Sequence, residues 1–290
     1  MHTHPDDYIK PELMACCGAR EITDGNIVIV GTGFPTMSAN IAKYTNAPNA
    51  TLMQESGVYD ARPVRPALSV GDPCLNPGAA MIGGLVDVMG MFLQSGWVDV
   101  GFLSGSQVDK FGNINTTVIG DYEKPTSRLP GSGGANPIGS LAKKILIIAL
   151  HDKRRLSERV DFITTPGYID GPGSREKRGL PAGTGPGVII TNKAVLRFDD
   201  DTKEAYLATY HPDSSVDEVV SLTPWDLKVS DDVHETEPPR EEELRVVRHQ
   251  FWTGTLGGAH DRPTVANPDF IISPFKRPKK LLGAISAGEQ

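Results

Sequence analysis

Glu55, in the run Gln54-Glu55-Ser56-Gly57, is the residue best placed to do chemistry in this chain. Thr51-Leu52-Met53 is an apolar lead-in, and Gly57 lets the backbone turn sharply just after the carboxylate. A glutamate at a strand end before a glycine turn is held out over the edge of a sheet, where open α/β architectures bind ligands. A carboxylate needs no general base to act as a nucleophile. A solvated loop glutamate is the ordinary alternative, and the neighbouring motifs argue against it.

A second motif, Pro130-Gly131-Ser132-Gly133-Gly134-Ala135-Asn136, presents several backbone N–H groups with little steric cover. That is the material of an oxyanion hole or an anion-binding nest, although a plain flexible loop reads the same way. Ser132 is no hydrolase nucleophile elbow, because Pro130 stands where the elbow needs glycine. A polar cluster, Gln107-Val108-Asp109 and Gly112-Asn113-Ile114-Asn115, offers amide side chains to fix loops or a ligand carbonyl. Gly31-Thr32-Gly33 invites a dinucleotide reading, but Thr36 replaces the third glycine and Pro35 stiffens the loop.

The elements that must position these residues read as an open α/β fold. Helices are expected over 11–23, 37–44, 215–225 and 239–251, with a helix or strand around Met89–Leu93. Continuous apolar runs at 27–30, 98–103, 144–150 and 187–191 suit strands buried on both faces of a parallel sheet. Residues 160–164 read as a further strand, and 195–198 with 205–208 as an antiparallel hairpin. The expected fold is a mostly parallel sheet with helices on both faces, in a domain of residues 1–252. Residues 253–290 are expected to be an extension that contacts a neighbouring subunit or stays mobile.

Six motifs fall in one order at compatible spacings: Glu55-Ser56-Gly57, Ser69-Val70-Gly71-Asp72, Gly105 to Asp109, Gly112 to Asn115, Gly120-Asp121-Tyr122 and Gly131 to Asn136. Together with Thr165 to Gly173 and Gly179-Leu180-Pro181, this pattern resembles the β subunits of family I CoA-transferases, in their glutaconate-type branch. Ala135, where many members carry an aromatic residue, agrees with that branch. The resemblance implies two similar α/β subunits with the active site between them, and Glu55 as nucleophile. It implies coenzyme A as cosubstrate with no tightly bound cofactor, and a carboxylic acid, dicarboxylic in this branch, as acceptor. Gly133, Gly134 and Ala135 are then the oxyanion and CoA loop, and Ser56, Gly57, Gln107, Asn113 and Asn115 shape the site. An α-type partner in a heterotetramer or larger assembly is expected. An acyl-CoA hydrolase or lyase, or a non-catalytic partner subunit, is the alternative.

Composition fits this reading. The 290 residues carry a net charge of -7, which disfavours nucleic-acid and anionic-membrane surfaces. No apolar run is long enough to cross a membrane, and the first residues show no secretory pattern. Three cysteines form no disulfide framework and no zinc spacing, so a reducing cytoplasm and no metal are expected. His151 and His211 read as structural.

Overall fold

The computed structural model describes residues 8–61, 67 and 69–248. The expected C-terminal extension, 253–290, and the last residues of the helix expected over 239–251 lie outside them. Helices α1 (Lys10–Arg20) and α2 (Phe34–Tyr44) come first, with strands β1 (Ile27–Ile29), β2 (Thr51–Met53), β3 (Val58–Tyr59) and β4 (Met81–Ile82). A π-helix, Val86–Leu93, leads to β5 (Val100–Ser104), β6 (Gln107–Asp109), β7 (Ile114–Asn115), β8 (Val118–Gly120) and β9 (Pro125–Arg128). Then follow α3 (Ala135–Leu141), β10 (Lys144–Ala149), β11 (Leu156–Ser157), α4 (Ser174–Lys177), β12 (Gly185–Thr191), β13 (Ala194–Phe198) and β14 (Ala205–Tyr210). The chain continues through α5 (Val216–Leu222), β15 (Val229–Glu235) and α6 (Glu241–Val247).

Among the described residues ten strands form one sheet, in the order β15-β14-β13-β12-β10-β5-β1-β2-β3-β4. Its centre, from β12 through β10, β5 and β1 to β2, is parallel throughout. The fold is thus the expected α/β class, and the β13–β14 hairpin is antiparallel as its sequence implies. Strand β10 shows why the apolar runs are continuous. Leu146 and Ile148 face one core with α1, α2 and α6, while Ile145 and Ile147 face a second core with α3, α5 and the π-helix. A strand covered on both faces has no polar face to alternate with. Helix α3 lies tightly on β5, because a Cβ on Gly101 would collide with Ile138.

The 160–164 segment corrects the sequence reading: it is a loop, joined to the small sheet by an isolated bridge between Ile114 and Thr165. Two of its backbone donors are taken by side chains, and Thr164 N–H donates to Ile114 O (3.0 Å). Asp161 N–H donates to Gln107 Oε1 (3.1 Å) and Val160 N–H to Asp109 Oδ2 (3.4 Å). Where amide and carboxylate side chains satisfy the backbone, no neighbouring strand is needed. The stretch around Met89, ambiguous in sequence, is the π-helix. The Tyr59–Phe92–Trp97 row, with ring centroids 5.0 Å and 5.6 Å apart, fastens it to β3.

Candidate active site

Strand β2 ends at the carboxyl edge of the parallel core, beside the loop after β1, and Glu55 stands in the turn that follows. Gln54 N–H donates to Val58 O (2.8 Å) and Gly57 N–H to Gln54 O (2.9 Å), so the turn is fixed from within. Gly57 has φ of +110°, and a Cβ there would also collide with the Gly83 backbone. Only glycine fits on both counts. Gly83 N–H donates to Gly57 O (2.8 Å), and Ser56 Oγ donates to Val70 O (2.6 Å). Ser56 and Gly57 therefore hold the glutamate turn against two flanking segments.

The Glu55 carboxylate packs on Gly134. A Cβ on Gly134 would collide with Glu55 Oε2 and would lie 3.3 Å from the Met89 methyl carbon. The structure thus brings Glu55 and the glycine loop, far apart in sequence, into contact. The N–H groups of Gly133 and Gly134 make no hydrogen bond among the described residues. The Ala135 N–H is already taken by Ser132 O (3.0 Å), and Ser132 Oγ accepts from Asn136 N–H (3.0 Å). Serine here closes the first turn of α3, and two of the three loop residues keep donors to offer.

Gln107, Asn113 and Asn115 are buried, and none hydrogen-bonds Glu55 among the described residues. They build the frame beneath the glycine loop. Asn115 Nδ2 donates to Gln107 Oε1 (2.7 Å) and Val118 O (2.6 Å). Asn113 Nδ2 donates to Asp109 Oδ2 (3.0 Å) and Ile169 O (2.8 Å), while its Oδ1 accepts from the N–H groups of Gly167 (2.8 Å) and Ile169 (3.0 Å). That clamp holds Ile169 at φ +59°, a conformation a β-branched residue rarely adopts. The frame reaches the loop through threonines. Thr116 Oγ1 donates to Gly131 O (2.8 Å), Gly131 N–H to Thr116 O (2.7 Å), and Asn136 Nδ2 to Thr164 O (2.8 Å). Burial pushes the Asp109 carboxyl up from its ordinary range, against the opposing pull of the N–H groups of Asn113, Phe111 and Val160.

Thr36, in place of a third glycine, is buried in α2, and its hydroxyl donates to Gly31 O (2.7 Å), closing the Gly31-Thr32-Gly33 turn. Among the described residues no three His, Cys, Asp or Glu side chains gather as metal ligands, and no helix is long and apolar enough to cross a membrane. Sequence reasoning missed Gly83, Gly84 and Met89. A Gly-Gly pair before an apolar run was the available signal, and Asp87 Oδ2 accepts from Gly84 N–H (2.6 Å) to start the π-helix there.

The family model described as coenzyme A transferase matches residues 12–222. The chain is 39% identical over 255 residues to a glutaconate CoA-transferase subunit of Acidaminococcus fermentans, covering 86% of this chain and 94% of that one. It is also 39% identical over 241 residues to a 3-oxoadipate CoA-transferase subunit of Pseudomonas knackmussii, covering 83% and 92%. The crystal structure of the A. fermentans glutaconate coenzyme A-transferase superimposes with a TM-score of 0.79 at 38% identity, covering 84% of this chain and 95% of that one.

Proposed function

The chain belongs to the coenzyme A transferase family as a β-type subunit, and we propose that Glu55 is its nucleophile in moving CoA between an acyl-CoA and a dicarboxylic acid. The observation that carries this reading is the Glu55 carboxylate seated on Gly134, in a loop whose Gly133 and Gly134 N–H groups make no hydrogen bond among the described residues. In the proposed cycle a Glu55 oxygen attacks the thioester carbonyl, and CoA leaves as a thiolate, giving a mixed anhydride. The thiolate then attacks the glutamyl carbonyl and expels the first carboxylate, leaving a glutamyl-CoA thioester. An incoming carboxylate repeats both steps in reverse and restores Glu55. One thioester replaces another, so no outside energy source is required.

Each addition develops charge on a carbonyl oxygen. The Gly133 and Gly134 N–H groups suit it, at about 3 kcal/mol per aimed donor. Ser56, Gly57 and the Gln107–Asn113–Asn115 frame act by holding these two parts in register. The dicarboxylate preference is supported by the names of the two relatives, glutaconate and 3-oxoadipate, both dicarboxylic acids.

An α-type subunit completes the site in this reading. Met81, Ile82, Leu85, Val86, Met91 and Trp97 are exposed large hydrophobics on β4, the π-helix and its flanks, and Gly83 in the same segment touches the Glu55 turn. Val86 is 72% exposed. Apolar surface of this kind marks an interaction face. A cytoplasmic location belongs to the same proposal, supported by Cys16 and Cys17, buried thiols that form no disulfide. The test is acid-dependent CoA exchange by the co-expressed α–β pair, over mono- and dicarboxylic acceptors. Exchange favouring dicarboxylates is the expected result, and thioester hydrolysis that ignores added acid would replace this reading with a hydrolase.

A further inference from the structure

We propose that Arg175 is a positioning residue for the glutamate site, locking the glycine loop in the register that faces Glu55. The inference rests on the role of that loop in the proposed function. Gly171 and Gly173 both have positive φ, and they turn the chain so that the single-turn helix α4 directs Arg175 inward. The residue is 2% exposed, among the most buried large side chains of the molecule.

No carboxylate pairs with it among the described residues. Its guanidinium instead binds backbone carbonyls and one hydroxyl. Nη2 donates to Gly139 O (3.2 Å) and Ser140 O (3.1 Å), in the last turn of α3, and to Thr184 Oγ1 (2.8 Å). Nη1 donates to Pro166 O (3.0 Å) and Gly167 O (2.9 Å). Nε finds no partner among the described residues. Burying an unpaired cation is costly, and burial presses its pKa down. A fold that needed only packing here would gain by an apolar side chain.

The geometry shows what the charge accomplishes. Helix α3 is seven residues long and begins directly after Gly134. Arg175 holds its C-terminal carbonyls, where the helix dipole favours a cation. The Thr164–Gly167 segment, which Arg175 also holds, returns to the other end of α3 through the Asn136 to Thr164 hydrogen bond. Gly139 is pressed so closely on that segment that a Cβ would collide with Thr165. Both ends of α3 are thereby tied to one guanidinium, and the loop at its start meets the Glu55 carboxylate. Five acceptors spread around a planar fork cannot be matched by the single nitrogen of lysine.

The test uses Arg175→Lys and Arg175→Ala in the co-expressed complex. Amide hydrogen exchange of residues 129–141 should rise about tenfold or more in Arg175→Lys, with the β14 peptide unchanged. Turnover should fall about 100-fold at an unchanged KM for acyl-CoA. Added guanidinium ion should restore part of it in Arg175→Ala, which a merely destabilised protein would not show. If Arg175→Ala does not fold, Arg175→Lys decides alone. Unchanged exchange at 129–141 in folded Arg175→Lys overturns the inference whatever the chemistry of the wild type. A wild-type enzyme that forms no adduct on Glu55 overturns the proposed function instead, and the exchange measurement still reads the loop.

Discussion

The Glu55 carboxylate rests on the Cα of Gly134, with no room for even a methyl group between them. Gly134→Ala should therefore push the carboxylate out of place rather than unfold the protein, because Gly134 has φ of -75° and alanine adopts that backbone readily. A displacement of about 1 Å at reacting atoms costs on the order of 100-fold. Steady-state exchange should show that loss with a melting temperature close to wild type. Full activity would mean that the contact plays no part in turnover.

Gly57→Ala should behave differently. Its φ of +110° and the collision with the Gly83 backbone strain the β2–β3 turn itself. A loss of roughly 1–3 kcal/mol is expected, read as a lower urea midpoint together with lost exchange.

Shortening the nucleophile separates transfer from hydrolysis. Glu55→Asp withdraws the carboxylate by one methylene, about 1.5 Å, which leaves room for water at the thioester. Transfer should fall about 100-fold while slow hydrolysis of acyl-CoA becomes the larger activity, measured by thiol release with and without acceptor acid.

Two buried histidines set an acid limit. His151 contacts Thr191, Thr223 and the Val219 carbonyl, and His211 contacts Thr236 and the Thr191 carbonyl. Burial drives both to about 4, well below the ordinary 6.5. The unfolded chain then binds more protons than the folded one between pH 4 and 6.5. Stability is present above that window and is lost as pH falls through it, by on the order of 3 kcal/mol per histidine. Asp109, raised by burial, has the opposite slope as its carboxyl ionises. Urea unfolding from pH 4 to 7 should show a steeper dependence for wild type than for His211→Gln, and equal slopes would refute the assignment.

Asn113→Ala removes both halves of the clamp on Ile169 and leaves the Gly167 and Ile169 N–H groups buried without partners. A loss of about 2–4 kcal/mol follows from the stranded groups. Calorimetry should show the lower melting temperature. A neutral result would mean water replaces the amide.

Much of the frame was legible in the sequence. Strand β10 announces itself as Lys144-Ile145-Leu146-Ile147-Ile148-Ala149 because both its faces are covered. The Glu55 turn was legible because Gly57 marks a place where a side chain cannot go. Strands β3 and β4 were not, since two residues each carry no period and their pairing is decided by the turn between Gly57 and Gly83. Residues 160–164 have a strand's composition, but Gln107 and Asp109 accept from the N–H groups of Asp161 and Val160 across a sequence distance that no local pattern reveals. Arg175 was silent for a similar reason: four of its five acceptors are backbone carbonyls, which any residue type supplies.

The most direct measurement is of the glutamyl-CoA thioester itself. The co-expressed complex is incubated with acyl-CoA and no acceptor, treated with borohydride or hydroxylamine, digested and analysed by mass spectrometry. The modification should fall on the peptide bearing Glu55, at the glutamate side chain, and should vanish in Glu55→Gln along with exchange. Exchange at the wild-type rate in Glu55→Gln, or an adduct on any other residue, would contradict the assignment of Glu55 as the nucleophile.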